Sequence, residues 1–342
     1  MKLLLVFAWL MSCLFLSGCA SSAKNLPLYE GVKDDGFKNK SLNQVDVQYL
    51  GVGGYLIRYG DTAIMTAPSF TNPSLFKLAS LTRLEANLEV IDRLMPPVSD
   101  VEVILVGHSH YDHLLDVPYV MNKHAPAAHV YGSKTMAHLM APAIEKSRIH
   151  NVLDKAATDT EAGEWIYNER RTVRFMPIQS HHAPHLMGIT LGKGHYDEDL
   201  ESLPRTVLGW LGGETLAYLI DFIDEEENIL FRIHFQDAAS QPPKGLMSSE
   251  IRDESERVDL LIFCVASFTE VEGYPDKVIE YTRPRAAILG HWEDFFGNIG
   301  EPLEVVRLTD AHDFIAHMRP LLPDDAIWYM PKPMALMKFN VE

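Results

Sequence analysis

Short runs in which apolar and polar residues alternate open the body of the chain. The runs cover 45–50, 55–59 and 62–65, and glycines such as Gly51 and Gly60 lie at the junctions between them. An alternation with period two is typical of strands, and glycine-containing junctions are typical of the turns that connect strands. The pattern therefore predicts that the body begins as a β-meander.

A different period follows the meander. Between Ser74 and Met95, apolar residues recur every three or four positions, at Leu75, Leu78, Leu81, Leu84, Leu88, Ile91 and Leu94. This spacing places the apolar side chains on one face of a helix, and Pro96-Pro97 would end that helix. We therefore predict one amphipathic helix over 74–95.

The rest of the body alternates between buried-strand runs and helical patterns. We expect strands over 101–106, 128–132, 173–178, 258–265 and 286–289, helices over 114–123, from Ser133 and over 275–282, and a hairpin of strands 215–222 and 228–235 joined by an acidic turn at 224–227. Sheets interleaved with helices in this way predict α/β or α+β organisation.

Composition narrows the functional class. The 342 residues are 47% hydrophobic and 23% charged, which is typical of a globular protein and excludes a collagen or a disordered chain. The formal net charge is −17, and a field of that sign repels phosphate backbones. We therefore expect no nucleic-acid partner.

The first residues predict an export signal. Lys2 precedes an apolar run over 3–16, which is shorter than the roughly 20 residues that span a bilayer, and the sequence Leu16-Ser17-Gly18-Cys19 follows it. This segment resembles a bacterial lipobox, which implies a signal peptide over 1–18, lipidation of Cys19 and attachment to a membrane of the cell envelope. Ala20 resembles the residue type that directs Gram-negative lipoproteins to the outer membrane, facing the periplasm. The alternative is an N-terminal membrane-anchor helix.

The residues after the lipobox are polar and show no pattern. We expect a tether over 19–42 and a folded body over 43–342. With Cys13 removed and Cys19 acylated, only Cys264 remains in the mature chain, so one chain cannot form an internal disulfide.

The candidate chemistry begins where the strand over 101–106 ends. His108 and His110 lie two residues apart, so in an extended segment both side chains point the same way and can bind one ion. If a helix begins near Leu114, Asp112 and His113 project from its first turn toward a second point. Imidazole and carboxylate ligands suit Zn²⁺ with open coordination positions, and they also suit Mn²⁺ or Fe²⁺.

The His-x-His-x-Asp-His motif resembles that of the metallo-β-lactamase superfamily, and later segments follow the order of that superfamily. The resemblance implies an αββα sandwich, a third histidine among His181, His182 and His185, a bridging carboxylate at Asp237 and a last histidine at His291. Among the three candidates His182 is favoured, His181 is the alternative, and His185 is expected to support a ligand or contact substrate.

The resemblance groups these residues into two sites. It implies one ion held by His108, His110 and His182, a second ion held by Asp112, His113 and His291, and Asp237 as the bridge, with two zinc ions per chain and Mn²⁺ or Fe²⁺ as other occupants.

Three features depart from the family pattern. Ala67 replaces an acidic residue, Gln236 replaces the usual glycine before the bridging carboxylate, and the helical insertion near 74–95 could narrow the cleft. His291-Trp292 and Tyr111 resemble the branch that contains ascorbate-6-phosphate lactonase and N-acyl phosphatidylethanolamine phospholipase D.

These residues imply hydrolysis of an ester-like bond by a metal-bound hydroxide, with a phosphodiester or lactone favoured and a small-molecule or lipid-derived substrate. Catalytic roles are expected for Asp112, Asp237, His185 and Tyr111. The last three are candidate proton donors to the leaving group.

The alternatives are a single-iron oxygenase or persulfide dioxygenase on the same fold, and an envelope lipoprotein that binds without catalysis. The full set of seven ligands argues against both.

Overall fold

The computed structural model describes residues 21–33, 41–184, 192–254, 258–297 and 302–341. The strands are β1 Leu28–Tyr29, β2 Gln44–Gly51, β3 Gly54–Tyr59, β4 Thr62–Thr66, β5 Val101–Leu105, β6 His129–Gly132, β7 Ile149–Asn151, β8 Ile166–Tyr167, β9 Val173–Ser180, β10 Thr215–Ile223, β11 Ile229–Phe235, β12 Leu260–Cys264, β13 Ala286–Gly290, β14 Ile327–Pro331 and β15 Leu336–Asn340. The helices are α1 Leu75–Ala79, α2 Leu88–Leu94, α3 Tyr111–Leu114, α4 Val117–Lys123, α5 Lys134–Met140, α6 Ser249–Glu254, α7 Asp276–Thr282 and α8 Ala311–Met318.

The strands form two sheets that pack face to face. One sheet has the order β15-β2-β3-β4-β5-β6-β7, and the other has the order β1-β14-β13-β12-β11-β10-β9-β8. Their facing sides bury alternate residues of both sheets, including Val47 and Ile57 from the first and Phe175, Tyr218 and Ile233 from the second. Burial of these apolar side chains supplies the main driving force for the packing of the two sheets.

Helices cover both outer faces. The α1–α5 region packs on the first sheet, where Leu78, Ile91 and Leu139 join a buried apolar cluster. Helices α7 and α8 pack on the second sheet, where Ile279 and Phe314 are fully buried. The architecture is therefore the predicted αββα sandwich, and the meander, the hairpin and the order of strands and helices also agree with the prediction.

The predicted single helix over 74–95 is wrong. The segment forms two short helices, α1 and α2, because Leu81 adopts the left-handed conformation at φ 52° and the Asn87 side chain caps a new helix by accepting from the Val90 amide. Both helices bury apolar residues in the same cluster, so apolar residues recur every three or four positions on both sides of the break between the helices. Periodicity alone does not reveal such a break.

The predicted tether over 19–42 is wrong for part of its length. A 3-10 turn covers Ala23–Asn25, and β1 pairs in parallel with β14. Ala23 and Leu26 are buried against the second sheet and its helices. The partner strand lies 300 residues away in sequence, so local composition could not reveal this pairing.

Three elements near the C-terminus were not predicted from the sequence, namely α8, β15 and strand β14, which pairs in parallel with β13. Helix α8 joins the core of the second sheet, and β15 pairs antiparallel with β2 at the edge of the first sheet.

The described part of the chain contains no helix that is both long enough and apolar enough to cross a membrane.

Candidate metal centre

Four strands end at the same edge of the sandwich, and each is followed by a candidate ligand. Strand β5 leads to the 108–113 motif, β9 to His182, β11 to Asp237 and β13 to His291. Strands β11, β12 and β13 are parallel, and β9 runs in the same direction because both β9 and β11 pair antiparallel with β10. Functional side chains of α/β proteins commonly gather at the carboxyl ends of the strands.

The first group contains three histidines. The His108 ring centroid lies 4.8 Å from that of His110 and 4.4 Å from that of His182, and the His110 and His182 centroids are 4.9 Å apart. One ring nitrogen from each histidine lies within 4.8 Å of the others. This spacing suits one shared metal ion.

The second group contains Asp112, His113 and His291. Asp112 Oδ2 lies 3.4 Å from His113 Nε2 and 3.5 Å from His291 Nε2. Asp112 and His113 stand in the first turn of α3, as the sequence predicted, and His110 lies at the N-cap position of that helix. The His113 ring also lies beside the first group, with its centroid 4.1 Å from that of His108, so the two groups adjoin.

Asp237 lies between the two groups and is buried. Its Oδ1 is 3.2 Å from His108 Nδ1, and its Oδ2 is 3.3 Å from His113 Nδ1. One carboxylate thus faces a histidine of each group, which is the position that the sequence resemblance assigned to a bridging residue.

Burial favours the neutral form of three of the imidazoles, those of His110, His113 and His182. Burial lowers the pKa of His182, holds the pKa of His110 well below its usual value and lowers the pKa of His113 to about 3. Burial alone would raise the pKa of Asp112, but His113 and His291 outweigh it and hold that pKa well below its usual value. Neutral imidazoles and an ionised carboxylate are the forms that bind metal ions, so the residues fit two divalent ions.

A buried network that the sequence analysis missed positions His291. Glu293 accepts hydrogen bonds from the Tyr49 hydroxyl and, at 2.7 Å, from the Val52 amide. The His291 amide donates to the Val52 carbonyl at 3.0 Å, and the Tyr49 hydroxyl accepts from the same amide at 3.2 Å. Glu293 therefore acts through the backbone of the β2–β3 turn. It contacts none of the ligand imidazoles, and the buried Asp294 instead pairs with Arg307.

Two glycines allow the backbone to approach the carboxylate. A Cβ on Gly107 would overlap both carboxylate oxygens of Asp237, and a Cβ on Gly53 would lie 2.8 Å from His113 Nδ1. The sequence analysis treated Gly53 only as a turn residue, although close approach of backbone to a site is the other common use of glycine.

The remaining residues that the sequence analysis singled out are Tyr111, His181, His185, Ala67 and Gln236. Tyr111 packs in the core cluster on the helix side of the first sheet. His181 is exposed, and its amide donates to Ser240 Oγ. His185 lies outside the described residues. Ala67, the departure from the family pattern, is buried in the helix-side core, and Gln236 Nε2 donates to the Gly245 carbonyl, which ties down the loop after Asp237.

A cavity of about 590 Å³ adjoins the first group. Its wall includes His110 and His182, backbone at Gly212 and Gly213, and the two basic residues Lys193 and Lys244. Lys244 Nζ lies 3.2 Å from Asp159 Oδ1 at the rim. The cavity is large enough for a small organic molecule.

No protein-family model and no curated protein matches the sequence. Among solved structures, a metallo hydrolase from the archaeon Ignicoccus hospitalis is 11% identical, with a TM-score of 0.51 over 87% of this chain and 100% of that chain. An isothiocyanate hydrolase from Delia radicum gut bacteria is 11% identical, with a TM-score of 0.50 over 86% of this chain and 100% of that chain.

A third similar structure is CmlA, a diiron beta-hydroxylase from Streptomyces venezuelae. It is 10% identical, with a TM-score of 0.50 over 88% of this chain, and this chain spans 55% of its length. At such identities the likeness shows the fold alone. The chain has the metallo-β-lactamase fold that its sequence resembles.

The contact between Gly107 and Asp237 gives a first prediction. Gly107 does not have a positive φ, and the atoms nearest to a Cβ added there are those of the Asp237 carboxylate, so Gly107→Ala requires the carboxylate to move. We expect the variant to fold but to lose at least one bound metal ion, measured by elemental analysis alongside a thermal melt.

The matched control is Gly132→Ala, where the added Cβ meets the flexible end of Met136 at 3.0 Å. This control should keep the metal content of the parent protein. Equal metal content in parent and Gly107→Ala would show that the carboxylate position does not govern binding.

Proposed function

We propose that the protein is a hydrolase that depends on two divalent metal ions, with zinc as the favoured ion. The observation that carries the proposal is the placement of Asp237 between two groups of buried donors, with one carboxylate oxygen toward each group. The fold shared with the archaeal metallo hydrolase supports it. When bound, two such ions supply a nucleophilic hydroxide at neutral pH and polarise the oxygen of the bond that is cleaved.

The residues of the chain then have distinct roles. Asp237 can accept the proton of the attacking water at either carboxylate oxygen, because the two oxygens face opposite groups. Tyr49 and Glu293 hold the backbone that carries His291. The cavity beside His110 and His182 binds the substrate, and its wall carries charges of both signs, because Glu214 lies there with Lys193 and Lys244 pairs with Asp159.

We propose an ester-like bond as the target, with a phosphodiester or a lactone ahead of a β-lactam. The body contains no Gly-x-Ser-x-Gly nucleophile motif, so the sequence offers no sign of a covalent mechanism. An oxygenase is the competing class, because a diiron beta-hydroxylase shares the fold. Iron in the purified protein together with substrate-dependent oxygen consumption would favour that class over hydrolysis.

Metal content tests the two-site arrangement. We expect about two ions per chain in the parent protein and a decrease toward one in Asp112→Ala and in His113→Ala, because both residues belong to the second donor group. Inductively coupled plasma mass spectrometry measures this directly. A content of two in both variants would contradict the assignment of the second site.

Turnover tests the role of Asp237. In a screen of phosphodiesters, lactones and β-lactams, Asp237→Ala should abolish hydrolysis of whichever substrate the parent cleaves, because the proton acceptor between the two groups is removed. Glu293→Gln changes only the hydrogen bonds from the Tyr49 hydroxyl and the Val52 amide, so its loss of activity should be smaller, about 10- to 100-fold.

The matched control for Asp237→Ala is Asp294→Asn, a buried carboxyl at the same edge that faces Arg307 and not an imidazole. This variant should keep most of the activity. Full activity in a folded Asp237→Ala protein would move the reactive centre elsewhere.

We further propose that the protein is a lipoprotein of the bacterial cell envelope, anchored through Cys19. The support is the apolar run over 3–16 followed by Leu16-Ser17-Gly18-Cys19. Cys19→Ala should accumulate as an unprocessed precursor that incorporates no labelled palmitate, whereas Cys264→Ala should be processed and labelled like the parent. Normal acylation of Cys19→Ala would overturn this proposal.

A further inference from the structure

The first described residues of the chain lie close to the metal centre. The Val305 amide donates to the Ser21 carbonyl at 2.8 Å, and the Ala23 amide donates to the Leu303 carbonyl at 3.0 Å. Residues 21–23 therefore run as an extended segment beside residues 303–305. The N-terminal end of the body is held at this place by backbone hydrogen bonds and by the buried Ala23 side chain.

The same 303–306 segment has a second neighbour. The Asp294 amide donates to the Glu304 carbonyl at 2.8 Å, and the Val306 amide donates to the Trp292 carbonyl at 2.8 Å. Residues 292–294 directly follow His291, so two strand spacings, about 10 Å in all, separate the Ser21 segment from the chain that carries this histidine.

Only Ala20 stands between Cys19 and Ser21. Two residues of extended chain reach at most about 7 Å, so a lipid on Cys19 would begin within about 20 Å of the His291 segment. Pairing of β1 with the carboxyl end of β14 at Met330 and Pro331 places the N-terminal segment at the same edge of the sandwich as the candidate ligands. The short link therefore keeps the anchor point near this edge of the body.

We propose that the edge of the sandwich that carries the metal centre rests on the phospholipid bilayer, with Phe76 of α1 and Leu308 at the contact. The proposal rests on the lipid anchor proposed above and goes beyond it, because anchoring alone does not determine which face of the body meets the membrane.

Exposed apolar side chains at this edge support the choice of a bilayer as the partner. Phe76 is 75% exposed, and Ser74 caps the helix that carries it. The start of this helix lies beside the segment after His291, because the Ser74 Cα is 3.5 Å from the position that a Cβ on Gly297 would occupy. Leu308 is 42% exposed and follows the 303–306 segment. Aromatic and aliphatic side chains in such positions insert into the interfacial region of a membrane.

The opposite edge provides a matched control. Leu42 is 66% exposed and lies beside Gly60 in the β3–β4 turn, at the end of β4 away from the metal centre. It is nearly as exposed as Phe76, and the proposal places it far from the bilayer.

The experiment compares two labelled positions in the full chain. Phe76→Cys and Leu42→Cys are expressed with signal processing intact, labelled with an environment-sensitive fluorophore and reconstituted into vesicles of phosphatidylethanolamine and phosphatidylglycerol. Cys264 does not compete for the label, because it is buried and burial raises the pKa of its thiol. Neither substitution removes a buried side chain, so both variants should fold.

We expect lipids that carry a quencher in the headgroup region to quench the fluorophore at 76 several-fold more than the fluorophore at 42. Equal quenching, or stronger quenching at 42, would overturn the orientation even if the protein sediments with the vesicles. Failure to sediment with vesicles would instead reject the lipid anchor, and the orientation with it. Hydrolytic activity is measured separately, so neither result depends on the proposed reaction.

Discussion

The arrangement of the site depends on where one buried carboxylate is held. Asp237 is almost fully buried and has an imidazole of each donor group within hydrogen-bonding range of its oxygens. A carboxylate without partners in such a position would cost roughly several kcal/mol, so the histidines beside it offset part of the cost of its burial. Both Gly53 and Gly107 must lack a side chain because the carboxylate and His113 occupy that space.

This constraint extends to the packing of the two sheets. Asp237 follows a strand of the second sheet, whereas His108 and His113 follow a strand of the first. Backbone hydrogen bonds from Leu216 to Gly107, at 2.7 Å, and from Ser109 to Gly212, at 2.9 Å, join the motif loop directly to the segment at the start of β10. The relative position of the sheets is therefore set at the site, and a shift of either sheet would separate the two donor groups.

The donors that could be predicted from the sequence are those that lie close together in the chain or directly follow a strand. Six consecutive residues carry four donors, and the resemblance to the metallo-β-lactamase superfamily implied the other three donors and the grouping of all seven, with which the distances agree. The support of His291 could not be predicted, because Tyr49 and Glu293 are 244 residues apart and meet only when β2 faces the segment after β13. The break at Leu81 and the pairing of β1 with β14 were missed for related reasons, since each depends on a tertiary partner.

Two residues at the site adopt backbone conformations that side chains disfavour. Val52 and His291 have φ values of 54° and 52°, and each left-handed residue costs about 1–2 kcal/mol. The Val52 carbonyl accepts from the His291 amide and the Val52 amide donates to Glu293, so the two strained residues stabilise each other through a shared buried network. Strain of this kind persists only where the surroundings over-determine the conformation. The network around Glu293 therefore holds the backbone that carries His291, whose imidazole Nε2 lies 3.5 Å from Asp112 Oδ2 in the second donor group.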